Sequence, residues 1–163
     1  MQNKLKELTG IAALEGQWLR RRHFDESVLA QIAERIRQGE SEHSGELVVA
    51  VEAMMPSHEK SAHLRALEVY GRLRVWDTPL NCGVLLYLAL DKRAIEIIAD
   101  RGIEVNGEQW LQVCADLQAR FAKGDYVEGL MATVDAIQAI LKTQAPHSSD
   151  PKANVLSDMP VIL

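Results

Sequence analysis

The stretch Gly83-Val-Leu-Leu-Tyr-Leu-Ala-Leu90, then Asp91-Lys-Arg93, then Ala94-Ile-Glu-Ile-Ile-Ala-Asp100 decides the architecture. From Val84 to Leu90 the residues are almost all Leu and Val, with no polar alternation. Such a run suits a central strand covered on both faces. Asp91-Lys92-Arg93 reads as a tight turn, so Ala94 to Asp100 returns antiparallel as a hairpin partner. Upstream, Glu46 to Met54 concentrates Val48, Val49 and Val51 and reads as another strand. Pro56 and Ser57 punctuate the chain between these strands. Ser57 offers a cap for a helix running to about Val75, with Ala62, Ala66, Val69, Tyr70 and Leu73 on its apolar face. Strand, helix, strand is a crossover unit and is nearly always right-handed, which makes the 46–54 and 84–90 strands parallel.

Working outward, Met1 to Arg22 has helical spacing at Leu5, Leu8, Ala12 and Leu14, then Trp18 and Leu19, and ends in Arg20, Arg21 and Arg22. Cations suit the negative end of a helix. Asp25 caps a second helix with Val28, Leu29, Ile32, Ala33 and Ile36 in register. Asn106 with Gln109 resembles a capping box ahead of Trp110, Val113, Cys114, Leu117 and Phe121, and Gly124 closes that helix. Asp125 with Glu128 repeats the box before Leu130, Val134, Ile137 and Leu141. The order predicts an α/β three-layer sandwich. Its small mixed sheet holds one right-handed β-α-β unit plus an antiparallel hairpin, flanked by helices on both faces. The chain divides into an N-terminal helix over 1–22, an α/β domain over 23–143, and an extended Pro-containing C-terminal tail over 144–163.

Composition narrows the function classes. The 163 residues are 47% apolar and 25% charged, which excludes a disordered or collagenous chain. A net charge of -5 argues against nucleic acid, whose partners carry a basic footprint. No apolar run approaches the roughly 20 residues of a membrane span. Glu7 and Glu15 interrupt any apolar core in the first 22 residues, which therefore do not read as a signal peptide. Cys82 and Cys114 have no metal-binding spacing and sit in apolar segments, as buried thiols of a cytoplasmic protein would.

Motifs for common chemistry are missing: there is no glycine-rich phosphate loop and no Gly-x-Ser-x-Gly elbow. His58 and His63 are five apart, not the three or four that share a helix face. Asp77, Asn81, Asp100 and Glu104 flank the hairpin strands, and oxygen ligands at such an edge suit a hard cation, calcium or magnesium. The same residues also fit a turn cap, a strand opener and an ion pair of Asp100 with Arg101 or Arg74. Contacts with a protein partner are expected from Arg20, Arg21, Arg22, Trp76 and Trp110, and from the tail residues Val161, Ile162 and Leu163. Free solvated tails have no need of such aliphatic side chains, so the tail either packs back on its own domain or enters a partner.

At Arg74-Val-Trp-Asp-Thr, Asn81-Cys-Gly-Val-Leu-Leu-Tyr-Leu and Ala99-Asp-Arg-Gly-Ile, the chain resembles the TPM-domain family, in its short soluble bacterial branch without signal peptide or membrane anchor. The resemblance runs from about Phe24 to Thr143 and implies an α/β/α sandwich. Family members include a thylakoid protein linked to photosystem II repair, some bind calcium, and acid phosphatase activity is attributed to part of the family. Gene neighbours of the LemA type imply a membrane-protein partner. The chain departs from the family pattern where Asn81-Cys82 replaces an Asp-Asn pair, and where Asp100-Arg101-Gly102-Ile103 replaces Thr-Gly-x-Gly. The expected activity is that of a non-enzymatic protein-binding or accessory module, envelope-associated through its partner. A divalent-metal-dependent acid phosphatase is the alternative.

Overall fold

The computed structural model describes residues 10–146 and 155–163. Its helices are α1 (Ile11–His23), α2 (Glu26–Glu40), α3 (Ala62–Arg72), α4 (Gly107–Ala122) and α5 (Val127–Gln144). Its strands are β1 (Glu46–Glu52), β2 (Gly83–Ala89), β3 (Ala94–Ala99) and β4 (Val161–Ile162). The first nine residues of the expected N-terminal helix, and the tail over 147–154, lie outside the described residues.

The strands form one sheet in the order β3-β2-β1-β4. β1 and β2 are parallel, with Glu46 opposite Gly83 and Glu52 opposite Ala89, and β2 pairs antiparallel with β3 from Val84↔Ala99 to Ala89↔Ala94. Every residue of β1 and β2 is buried, as a run covered on both faces requires. Alternation then sorts the side chains. Leu47, Val49, Val51, Val84, Leu86 and Leu88 pack with α1, α2, α4 and α5 on one face. Val48, Ala50, Leu85, Tyr87 and Ile98 pack with Ala66 and Val69 of α3 on the other. Three layers result, with four helices against one.

Several local expectations are corrected. The crossover helix begins at Ala62, four residues after His58, and its cap is Ser61, which accepts from the Leu64 amide at 3.4 Å. Asp25 and Asn106 do cap α2 and α4. Asp125 does not cap α5. Its carboxylate takes a hydrogen bond from Arg120 at 2.9 Å instead. Glycine explains how α1 sits so close to the sheet. A Cβ on Gly16 would lie 1.9 Å from the Ala53 carbonyl oxygen, so only glycine permits that approach.

In the sequence, β4 shows only as part of an apolar tail. Val161 and Ile162 lie parallel beside Ala50 and Val51, and the Leu163 amide donates to the Val51 carbonyl at 3.0 Å. The segment is anchored upstream by Glu46, whose carboxylate accepts from the amides of Val155 (3.2 Å) and Leu156 (2.7 Å). Glu46 is 1% exposed, so these backbone donors are what satisfy its buried oxygens.

Candidate functional site

The two ends of the sheet carry different chemistry. At the carboxyl ends of the parallel strands, Glu52 closes β1 and turns a buried carboxylate toward α3. Arg65 grips it with two hydrogen bonds, 3.0 Å from Nε and 2.6 Å from Nη2, and reaches Glu68 with Nη1 at 2.8 Å. Tyr87 donates its hydroxyl to the same Glu52 oxygen. The Arg65 and Glu52 side chains are only 6% and 5% exposed. Hydrogen bonding to Glu52 raises the Arg65 pKa, while burial followed by Glu52 raises that of the Tyr87 phenol. Each member's polar atoms meet another's, so the group acts as a structural brace. Sequence reading missed it because a charged residue beside the buried Ala66 and Val69 reads as the solvated margin of that face, and its partner is on another element.

The neighbouring turn, 91–93, is also built. The Asp91 carboxylate accepts from the Met55 amide at 3.1 Å, and burial holds its pKa above the usual carboxylate range. Arg93 adopts φ 52°, left-handed for a non-glycine residue, and its guanidinium pairs with Glu15 of α1. Beyond it, the ends of α1, α4 and α5 meet in an aromatic cluster. His23 stacks on Tyr126 at 4.4 Å between centroids, Tyr126 lies 4.9 Å from Phe121, and Trp18 meets His23 edge-on at 6.0 Å. Burial, and then the Arg22 charge, lowers the His23 pKa.

The opposite end of the sheet holds the oxygen ligands expected from sequence. Asn81 is left-handed at φ 53°, and its carbonyl accepts from the Gly102 amide at 2.8 Å, which ties the entry of β2 to the exit of β3. Asp100 stands at that exit. Its Oδ1 accepts from the Arg101 amide at 2.7 Å, while its buried Oδ2 has no hydrogen-bond partner within 3.5 Å, and the Tyr70 hydroxyl lies near the carboxylate. Tyr70 is pushed up to about 12, by burial first and then by the Asp100 charge. Hairpin register thus sets Asp100 opposite Gly83 and Asn81 opposite Gly102. Asp77 and Glu104 sit on exposed flanking loops. Among the described residues, no three of the His, Cys, Asp and Glu side chains gather as a metal-holding group.

The residues expected to meet a partner are distributed. Arg21 and Arg22 are exposed and Arg20 half-buried at the end of α1, with the Arg22 guanidinium 5.5 Å over the Trp18 ring. Trp76 is half exposed, whereas Trp110 packs partly against the core. Val161 and Ile162 are half-buried in β4, and Leu163 follows them on the sheet edge. The Arg37 pKa is raised first by its hydrogen bond to Glu34 and least by the charge of Asp158, which puts Asp158 in the neighbourhood of α2. The residues that sequence reading missed lie on α1: Ile11, Leu14 and Trp18 are 50%, 71% and 56% exposed. Their i, i+3, i+7 spacing was visible, but which side of the helix met the sheet was not.

No helix among the described residues is long and apolar enough to cross a membrane. The fold is shared with solved structures. One is the BA42 protein of the psychrophilic bacterium Bizionia argentinensis, 26% identical over 86% of this chain and 97% of that one, with a TM-score of 0.75. Another is the N-terminal domain of a protein from P. gingivalis, 25% identical over 79% of this chain and 84% of that one, with a TM-score of 0.62. Comparison with curated proteins gave no match. The family model of the TPM domain matches residues 21–140, covering the helices from the end of α1 to α5 and the three longer strands, and the chain therefore belongs to the TPM-domain family.

Proposed function

We propose that this TPM-domain protein is a non-enzymatic accessory module that binds a protein partner through the outer face of α1. The observation that carries this reading is the exposed stripe of Ile11, Leu14 and Trp18 beside Arg20, Arg21 and Arg22. Aromatic and Arg side chains are enriched at protein interfaces, and an i, i+3, i+7 apolar stripe is the form in which a helix enters a partner's groove. Family resemblance points to a LemA-type membrane protein as that partner, which would bring a cytoplasmic chain to the envelope. Titration calorimetry with a purified LemA-type protein tests the reading. Trp18→Glu together with Leu14→Glu should abolish the heat of binding while leaving the melting temperature within a few degrees of the parent. Absence of binding by the parent, or equal binding by the double variant, refutes it.

Asp100 favours a second reading, a divalent-metal-dependent acid phosphatase. Its carboxylate, with Oδ2 buried and the Tyr70 hydroxyl nearby, has the hard-oxygen chemistry that calcium or magnesium takes, and Asp77 and Glu104 are the flanking carboxylates in the expected set. A cation there would polarise a phosphoryl oxygen. Calcium and magnesium titrations of the parent and of Asp100→Ala decide it: binding must occur, and the substitution must remove it.

A further inference from the structure

A cavity of about 470 Å³ opens at the carboxyl end of β2, between the β2–β3 turn, the end of α4 and the underside of α1. Its walls include Leu19, Leu90, Ile95 and Phe121, and Tyr126 stands at its aromatic side. This volume falls in the range of roughly 300–1,000 Å³ typical of small-molecule sites. Its place fits too, since open α/β sheets take ligands beyond the carboxyl ends of their strands. We propose that this cavity binds a small amphiphilic carboxylate, with the aliphatic body against Leu90, Ile95 and Phe121 and the carboxylate on Arg93. The proposal goes beyond the protein-binding reading and does not rest on it, because the outer face of α1 and this cavity are separate surfaces.

Arg93 is the one cationic side chain among the lining residues, and its environment is specific. Non-glycine residues are held left-handed mainly where the surroundings over-determine them, often at ligand sites. The Gln118 amide donates to the Arg93 carbonyl at 3.4 Å and ties the turn to α4. Arg93 already carries a carboxylate, that of Glu15, through Nη2. A guanidinium has five N–H donors in a planar fork, so a second carboxylate can share it or displace the first. An ammonium headgroup finds no carboxylate among the lining residues, where Glu15 is absent and Arg93 present. A neutral alcohol would gain the apolar walls without the ion pair. Chemistry at the mouth thus selects an anion, and the walls select a hydrocarbon chain.

Octanoate, octanol, octylamine and acetate, each kept below the concentration at which it aggregates or phase-separates, test this on the full-length chain by calorimetry and amide chemical shifts. Octanoate should bind at one site with shifts at Leu90, Ile95 and Phe121. Octanol should bind about tenfold more weakly, the scale of one charge-assisted hydrogen bond. Octylamine and acetate should be weaker still. Arg93→Gln should weaken octanoate about tenfold and leave octanol unchanged, a split that a general loss of folding does not give. Ile95→Phe, which fills the cavity, should weaken both. Absence of octanoate binding, octylamine binding as tight as octanoate, or equal effects of Arg93→Gln on octanoate and octanol would overturn the proposal.

Discussion

Replacing Arg65 by methionine removes the cation from the Glu52–Arg65–Tyr87 brace and leaves the Glu52 carboxylate, 5% exposed, without its bidentate partner. Breaking a buried pair from one side destabilises by about 3–5 kcal/mol, because the remaining charge stays desolvated. The hydroxyl of Tyr87 still donates to Glu52, which favours the lower half of that range. Glu68 adds little, since its side chain is 42% exposed and a pair of that kind is worth about 0–1 kcal/mol. For a chain of this size each kcal/mol moves the melting temperature by about 2–4 °C, so Arg65→Met should melt roughly 6–16 °C below the parent. The decisive comparison is Arg65→Met with Glu52→Leu. Removing both charges should recover most of the loss, because the desolvation penalty goes with them. Urea melts of the parent, both single variants and the double variant, followed by circular dichroism, give the four stabilities and the coupling energy. Additive losses in the double variant, or a single variant within about 1 kcal/mol of the parent, would show that the brace contributes nothing.

Leu86, fully buried in the central strand, should tolerate aspartate poorly: a loss of several kcal/mol, read as a collapsed melting transition, is expected. Glu46→Ala removes the acceptor of two backbone amides and should destabilise by about 1–3 kcal/mol, with faster hydrogen exchange at Ile162 and Leu163; unchanged protection there would count against the clamp. Asp91→Asn should stabilise at neutral pH. The Asp91 pKa is higher folded than unfolded, so its charged form penalises the folded state fully above the folded value, and the penalty vanishes below the ordinary carboxylate value near 4. Melting temperatures of the two proteins should therefore converge as the pH falls to about 3, and a constant difference would refute the burial argument.

What could be read in advance divides by the range of the interaction. β1 and β2 were legible because continuous burial leaves a continuous apolar run, and α2 because Asp25 caps it with its own side chain, accepting from the Val28 amide at 2.9 Å. The hairpin register followed from the turn at 91–93, and with it the place of Asp100 opposite Gly83. Loops set the positions of Asp77 and Glu104, and loop paths leave no period in the sequence. β4 is two residues long, too short to show a pattern, and exists only because a distant strand offers an edge. Arg65 was opaque for a related reason: a charged residue on a helix reads as solvated until its buried partner is known.

The pairing of β1 with the end of the chain has a consequence for biosynthesis. Val155 and Leu156 follow their Glu46 partner by 109 and 110 residues, so β1 leaves the ribosome long before its outer neighbour exists. At roughly 5–20 residues per second, that edge waits about 5–20 s after synthesis of β1. Unpaired edges template pairing with other chains, and charged side chains that point inward are one of the devices that discourage it. β1 begins with Glu46 and ends with Glu52, both buried in the finished fold. In the nascent chain these carboxylates stand at both ends of a bare strand, where they would disfavour pairing with a neighbour on the same polysome until the tail arrives.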